Sequence, residues 1–430
     1  MERRERNVPP ADARYRIRVR MTARAVDEPH RTARPLELLF DLTFVVAVAA
    51  VTGRLAHDIA DGHALAGLAP FFQVFFAVWW AWMNFTWFAS SYDTDDAAYR
   101  LLTMVQMAGV LVLAAGVPAA ADDSDYRAVT LGYFIMRIAL VAQWLRAAAG
   151  DAAGRRTALR YAAGIAVLQA GWVLRQVLAE TGVLPEAAGL PAFVGLAVLE
   201  LAVPWWAERT RPTNWHPHHI AERYGLFTII LFGESVLAAS NAVGGALAAA
   251  EISGPLVVIA GSGLVLLFAL WWLYFLVPAG EGLDERRHRS YLWGYGHYGV
   301  FAALAALGAG LEVAVEQTGH HIEAAPVAIC YAVAIPAAAF VVLHWLVHTP
   351  IVTGSVVHPA AVASAATALL LLPLAAPRIG VAPVIAAIAG VCVLVTTVAI
   401  LPGAVARPAT GAGAPSPRRR TRSAATACGR

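Results

Sequence analysis

Apolar runs of about twenty residues, separated by short stretches rich in Arg, Asp, Gly and Pro, recur along almost the whole chain. Twelve fall near 36–56, 70–89, 101–117, 128–147, 158–178, 188–206, 219–242, 255–277, 292–315, 325–347, 360–376 and 381–402. A helix needs about 20 mostly apolar residues to cross a bilayer. The pattern therefore predicts an all-α, polytopic integral membrane helical bundle of about twelve transmembrane helices. The fourth, fifth and ninth runs carry polar interruptions and the eleventh is short, so the count could shift by one or two. No cleavable signal peptide is evident, because the chain opens on an arginine-rich stretch.

Composition agrees with the pattern. Of 430 residues, 59% are hydrophobic and 14% charged, with a mean hydropathy of +0.60, far from the makeup of a soluble globular domain. The net charge is only +3 and all of the positive charge is arginine, placed mostly in tails and loops. That placement suits membrane orientation and argues against a nucleic-acid partner. The expected partners are membrane lipid and a small solute or ion, with the oligomeric state left open. If both termini are cytoplasmic, the cytoplasmic loops hold Arg100, Arg146, Arg155, Arg156, Arg160, Arg209, Arg211, Arg286, Arg287 and Arg289, and the other side holds Arg54, Arg127, Arg175 and Arg378. The excess favours that orientation, and an even number of spans agrees with it. Cys330 and Cys392 fall in apolar runs and Cys428 in the tail, so no disulfide framework is indicated.

The two halves resemble each other. FAVWWAW at 76–82 matches FALWWLY at 268–274, and ELLFDLTFVV from Glu37 can be laid on ERYGLFTIIL from Glu222, pairing Thr43 with Thr228. We expect two parallel six-helix repeats, 36–206 and 207–402, related by an axis along the membrane normal; chance likeness between apolar runs is the alternative. Residues 1–35 read as a basic cytoplasmic tail and 403–430 as a second tail, both without a core-forming pattern. RYRIRVRM, at 14–21, either lies on anionic headgroups or leads into a true start at Met21.

Ionisable residues inside the spans are the candidates for function. Glu37 and Asp41 lie four apart in RPLELLFDLTFVV, on one helix face. Glu37 alone could simply complement the helix macrodipole. Asp41 is a turn deeper, where an unpaired carboxylate costs about 2.5–3.5 kcal/mol, and so needs a partner inside the bundle. Arg137, Arg223 and His297 are the candidates by depth. The seventh span adds Glu222 and Arg223 at its cytoplasmic end, and Glu234 about three turns beyond Arg223 on the same face. Arg175, Glu200, His297 and His344 interrupt other spans, and Glu200, His297 and His344 trace to the cytoplasmic half, which suggests one polar cluster there. Such groups either line a path for a solute or fix helix packing, for example through an Arg137–Asp41 pair.

His218, His219 and Glu222 in HPHHIAE have spacings that could ligate a metal on one helix face. Pro217 and the loop-to-helix junction favour a solvated helix start instead. No nucleophile elbow, phosphate loop or HExxH pattern is present, so no catalytic residue and no cofactor is assigned.

PLELLFDLTFVVAVA and HHIAERYGLFTIILFGESVLA resemble the two signatures of the bacterial low temperature requirement protein A family. The resemblance covers roughly 30 to 402 and rests on Glu37, Phe40, Asp41, Glu222, Arg223, Gly233 and Glu234. It implies a multi-pass protein of the bacterial inner membrane, named for growth in the cold, and brings no established reaction or substrate. The long basic stretch before Met21 departs from the family's usual short start. The leading expectation is a transporter or channel-like protein in which the carboxylates bind a cation, a proton or a small polar solute. A membrane-embedded enzyme acting on lipid and a non-catalytic protein of cold or stress adaptation are the alternatives.

Overall fold

The computed structural model describes residues 18–401 except 27, 30, 249–251 and 353–356. Among the described residues there are helices and no strands. In chain order the helices are α1 (Pro35–Ala60), α2 (Ala64–Tyr92), α3 (Ala97–Ala115), α4 (Val117–Asp122), α5 (Arg127–Gly150), α6 (Arg155–Glu180), α7 (Glu186–Ala207) and α8 (Pro217–Ala248). They continue with α9 (Gly254–Phe275), α10 (Ala279–Glu285), α11 (Ser290–Glu316), α12 (Pro326–His348), α13 (Pro359–Leu371), α14 (Ala376–Ile379) and α15 (Val381–Ile400). Among the described residues twelve segments are long and apolar enough to cross a membrane, one for each apolar run. The eleventh, Pro359–Ile379, is α13 and α14 joined by a 3-10 turn that contains Pro373, since proline supplies no N–H to continue an α-helix. The start of α1, the end of α2 and the start of α8 come together on one side of the bundle, the terminal face.

Lipid and protein divide each helix. On α1 the exposed stripe is Leu38, Leu39, Leu42 and Val46, while Glu37, Phe40, Asp41 and Phe44 are buried. A bilayer rewards this arrangement, because aliphatic side chains lose nothing in lipid whereas charged ones must find partners inside the bundle. Helix α1 starts at Pro35, whose missing N–H is no loss in a first turn, and stops where Gly62 takes φ +76°, a left-handed conformation that glycine adopts without strain.

The two most extensive helix contacts are α3 on α5 and α11 on α12. Small residues permit both. A Cβ on Gly132 would stand 2.4 Å from the Leu113 nitrogen, and one on Gly310 would stand 2.2 Å from the Ala332 oxygen. Close backbone approach of this kind lets dispersion hold helices together where no hydrophobic effect can. Other neighbours differ between the halves: α7 packs on α6, whereas α15 packs on α9.

The amino-terminal stretch departs from expectation. Residues 18–34 would be part of an unstructured tail by composition, but the described ones among them lie across the terminal face as a strap. The Val19 N–H donates to Asp96 at 2.6 Å, Arg20 to the Gly150 carbonyl at 2.7 Å, and the Arg24 N–H to the Ser91 carbonyl at 2.9 Å. Met21 is buried against Gly150. The partners come from loops distant in sequence, so local composition carries no sign of them. Residues 1–17 and the tail at 403–430, with Cys428, lie outside the described residues.

Candidate functional site

At the terminal face α1 meets α8, and the charges of the two helices interlock. Arg223 of α8 donates to both oxygens of Asp41, from Nε at 2.9 Å and Nη2 at 2.5 Å. Trp82 of α2 adds its indole N–H to Asp41 Oδ1 at 2.6 Å, held by stacking on Phe227 and an edge contact with Tyr224. One turn nearer the face, Glu37 lies 3.3 Å from Arg223 Nη1, 3.2 Å from His219 Nε2 and 3.4 Å from Arg31 Nη2. It also accepts the Arg34 backbone N–H at 2.7 Å, which closes the first turn of α1. Glu37, Asp41, His219 and Arg223 are all buried. Two carboxylates on successive turns of one helix thus share a single guanidinium from the other, and the fork shape of arginine allows the sharing.

Outside this lock stands a clasp made by the strap. Asp93, which caps the end of α2, lies within 2.8 Å of Arg34, 3.6 Å of Arg31 and 3.7 Å of Arg24. Burial pushes the Asp93 carboxyl up to about 6, against the pull of these arginines. Arg24 also pairs with Glu28, whose carboxyl that hydrogen bond lowers. Beyond the clasp opens a vestibule of about 580 Å³, lined by Glu28, Arg31, His216, His218, Glu222 and Asp284 among others. Glu222 turns into it and accepts the Ala33 N–H at 3.1 Å. Lock and vestibule share Arg31.

Of the partners expected for Asp41, Arg223 is the one in contact. Arg137 is elsewhere. It pairs at 3.0 Å with Glu200, whose oxygens also accept from Trp80 at 2.8 Å, Trp172 at 3.1 Å and Tyr133 at 3.2 Å. This second cluster joins α2, α5, α6 and α7 within the first half. His297 belongs to a third cluster: its Nδ1 faces the Trp293 carbonyl at 2.7 Å and its Nε2 the Tyr274 hydroxyl at 3.1 Å. A carbonyl only accepts, so Nδ1 carries the proton and Nε2 accepts from Tyr274. The His344 and His348 rings lie 4.2 Å apart beside them. The one polar cluster expected on this side is therefore three, separated because Glu200, His297 and Asp41 point from different helices toward different neighbours. Arg175 donates to the Gly189 carbonyl at 3.1 Å. Glu234 is half-buried further along α8, within electrostatic reach of Glu312 on α11.

The metal candidates do not converge. His219 turns to Glu37, His218 is exposed to the vestibule and Glu222 binds a backbone N–H. Among the described residues no three His, Cys, Asp or Glu side chains are grouped to hold a metal ion. Sequence reasoning missed Trp82, Arg31, Arg34 and Asp93. Trp82 carried a signal, since it sits in the repeated aromatic run, but nothing local tied it to Asp41.

The chain is 27% identical over 285 residues to the uncharacterized protein RA0937 of Rhizobium meliloti (strain 1021), a match covering 62% of this chain and 66% of that protein, a little under two thirds of its length. The family model for the bacterial low temperature requirement A protein matches residues 32–400, a span that begins beside Arg31 and takes in every helix of the three clusters. With Glu37, Asp41 and Arg223 of the two signature stretches meeting in one buried lock, the chain belongs to the bacterial low temperature requirement A protein family.

Proposed function

We propose that the protein is a transporter or channel-like protein for a cation, a proton or a small polar solute, with the Asp41–Arg223–Glu37 lock as its gate at the terminal face. The observation that carries this reading is the position of the lock. It ties α1 of the first half to α8 of the second, directly beneath a vestibule of about 580 Å³. Beyond it, Glu234 and Glu312 provide ionisable groups deeper between α8 and α11. Ion pairs are suited to gating because their arrangement is bistable: one counter-charge can replace another. Because Arg223 and its neighbours saturate Glu37 and Asp41, a cation would engage these carboxylates only after the lock opens.

The reading extends to topology. The terminal face is cytoplasmic and the membrane is the bacterial inner membrane, supported by the arginine excess on that side. The halves form parallel repeats, supported by the matching FAVWWAW and FALWWLY runs and by the tight packing of the third span on the fourth and the ninth on the tenth.

A non-catalytic role is the rival, favoured by the full saturation of both carboxylates. Flux assays on the purified chain in liposomes separate the two. Ala33→Cys with Glu222→Cys places a cross-link between the strap just before α1 and the start of α8. A gate predicts gradient-driven cation or proton flux that stops on cross-linking and returns on reduction. Flux that is absent from the uncross-linked protein, or indifferent to the cross-link, would defeat the proposal.

A further inference from the structure

A separate cleft opens on the terminal face between the halves, and neither the lock nor the vestibule includes it. Its walls are aromatic: Trp87 and Trp215 meet edge to face at 4.9 Å, Trp144 and Tyr161 stack at 4.2 Å, and Tyr291 closes one side. At its margin sits Glu208, the residue that ends α7. The cleft has a cavity volume of about 30 Å³, room for one or two water-sized groups.

The polar groups in this cleft have an imbalance. Glu208 Oε1 accepts from the Tyr161 hydroxyl at 2.9 Å and the Thr213 hydroxyl at 2.6 Å, and Oε2 from the Tyr291 hydroxyl at 3.0 Å. All three donors are neutral, and among the described residues no arginine or histidine pairs with Glu208. Arg287 lies over the Trp215 ring at 4.3 Å and donates to the Trp215 carbonyl without lining the cleft. Asn84 uses its NH₂ on the Trp80 carbonyl at 2.7 Å, which leaves its Oδ1 to accept. The cleft therefore offers a carboxylate without an ion-pair partner among the described residues, an amide oxygen and π faces, and no cationic side chain lines it.

We propose that this cleft binds a protonated primary amine on a slender chain. An ammonium is water-sized and carries three donors, which Glu208 and Asn84 can receive, while aromatic faces attract the cation and its methylenes. A quaternary ammonium has no N–H to give and is larger than a water-sized group, so it binds more weakly. Two sources share this chemistry, a soluble alkylamine and the headgroup of phosphatidylethanolamine. The site does not depend on the transport reading, since binding is measured without flux.

The test is a titration of the full chain in phosphatidylglycerol nanodiscs with n-propylammonium chloride, read by tryptophan fluorescence. A saturable change is expected, at least tenfold weaker for Glu208→Gln and for tetramethylammonium, and within about threefold of the unaltered chain for Asp125→Asn, which removes a carboxylate outside the cleft. Including phosphatidylethanolamine in the nanodisc assigns the source: competition with propylammonium marks the lipid headgroup, and its absence marks a soluble amine. No saturable change, or equal affinity for Glu208→Gln in a protein whose melting temperature is unaltered, overturns the proposal. A Glu208→Gln protein that fails to fold leaves the tetramethylammonium comparison to decide, and equal binding of the two ammonium ions then overturns it.

Discussion

Arg223 serves two carboxylates and Asp41 is only one of its partners, so removing the arginine should cost more than removing the aspartate. In Asp41→Asn, Arg223 keeps Glu37 at 3.3 Å, and the amide oxygen can still accept from Trp82 or Arg223. Breaking a buried pair costs about 3–5 kcal/mol, and the remaining partner places this change near the lower end, about 3 kcal/mol. In Arg223→Gln, Asp41 loses its cation and Glu37 one of its two arginines, with Arg31 at 3.4 Å as the remainder. Each lost attraction is worth about 4 kcal/mol at 4 Å in an effective dielectric of about 20, before desolvation and protonation offset it. The expected cost is therefore at least about 5 kcal/mol, which would leave little folded protein. Unfolding by SDS titration in mixed micelles measures both variants, and the double variant gives the coupling between the sites, about 1–3 kcal/mol for groups in direct contact. If Arg223→Gln costs no more than Asp41→Asn, or if both lie within about 0.5 kcal/mol of the unaltered chain, the shared-cation account is wrong.

Glu200→Leu should cost about 3–5 kcal/mol by leaving Arg137 buried without its anion, and a melting temperature equal to that of the unaltered protein would contradict this. Gly132→Ala should force α3 from α5 and lower the melting temperature, at about 1–3 kcal/mol for overpacking. Gly53→Ala, where an added Cβ meets nothing within 4 Å, is the control and should not lower it. Asp93 has a folded value of about 6, raised above the ordinary aspartate range, so its contribution is fully present below about pH 4 and is lost as pH rises through about 6. Asp93→Asn should remove that component from the pH profile of stability, and an unchanged profile would show that other groups carry it.

The number and approximate limits of the spans follow from the sequence, because crossing a bilayer is a local demand on length and polarity that each run meets alone. The need of Asp41 for a partner follows as well, since its depth and its apolar flanks are local facts. The partner's identity was legible only as a choice among Arg137, Arg223 and His297. Depth along a helix is written in its sequence; which helix stands beside it, and how each is rotated, is decided by packing. Close approach at Gly132 and Gly310 sets neighbours that no run of residues specifies by itself. Tertiary structure thus gives Arg137 to Glu200, His297 to Tyr274 and Arg223 to Asp41. The strap at 18–34 shows the same limit, for its order comes from Ser91, Asp93, Asp96 and Gly150, which reach it only once the loops of the terminal face are assembled. The aromatic cleft draws its walls from residues as far apart as Trp80 and Tyr291, and such a site exists in the sequence only as scattered tryptophans until the halves come together.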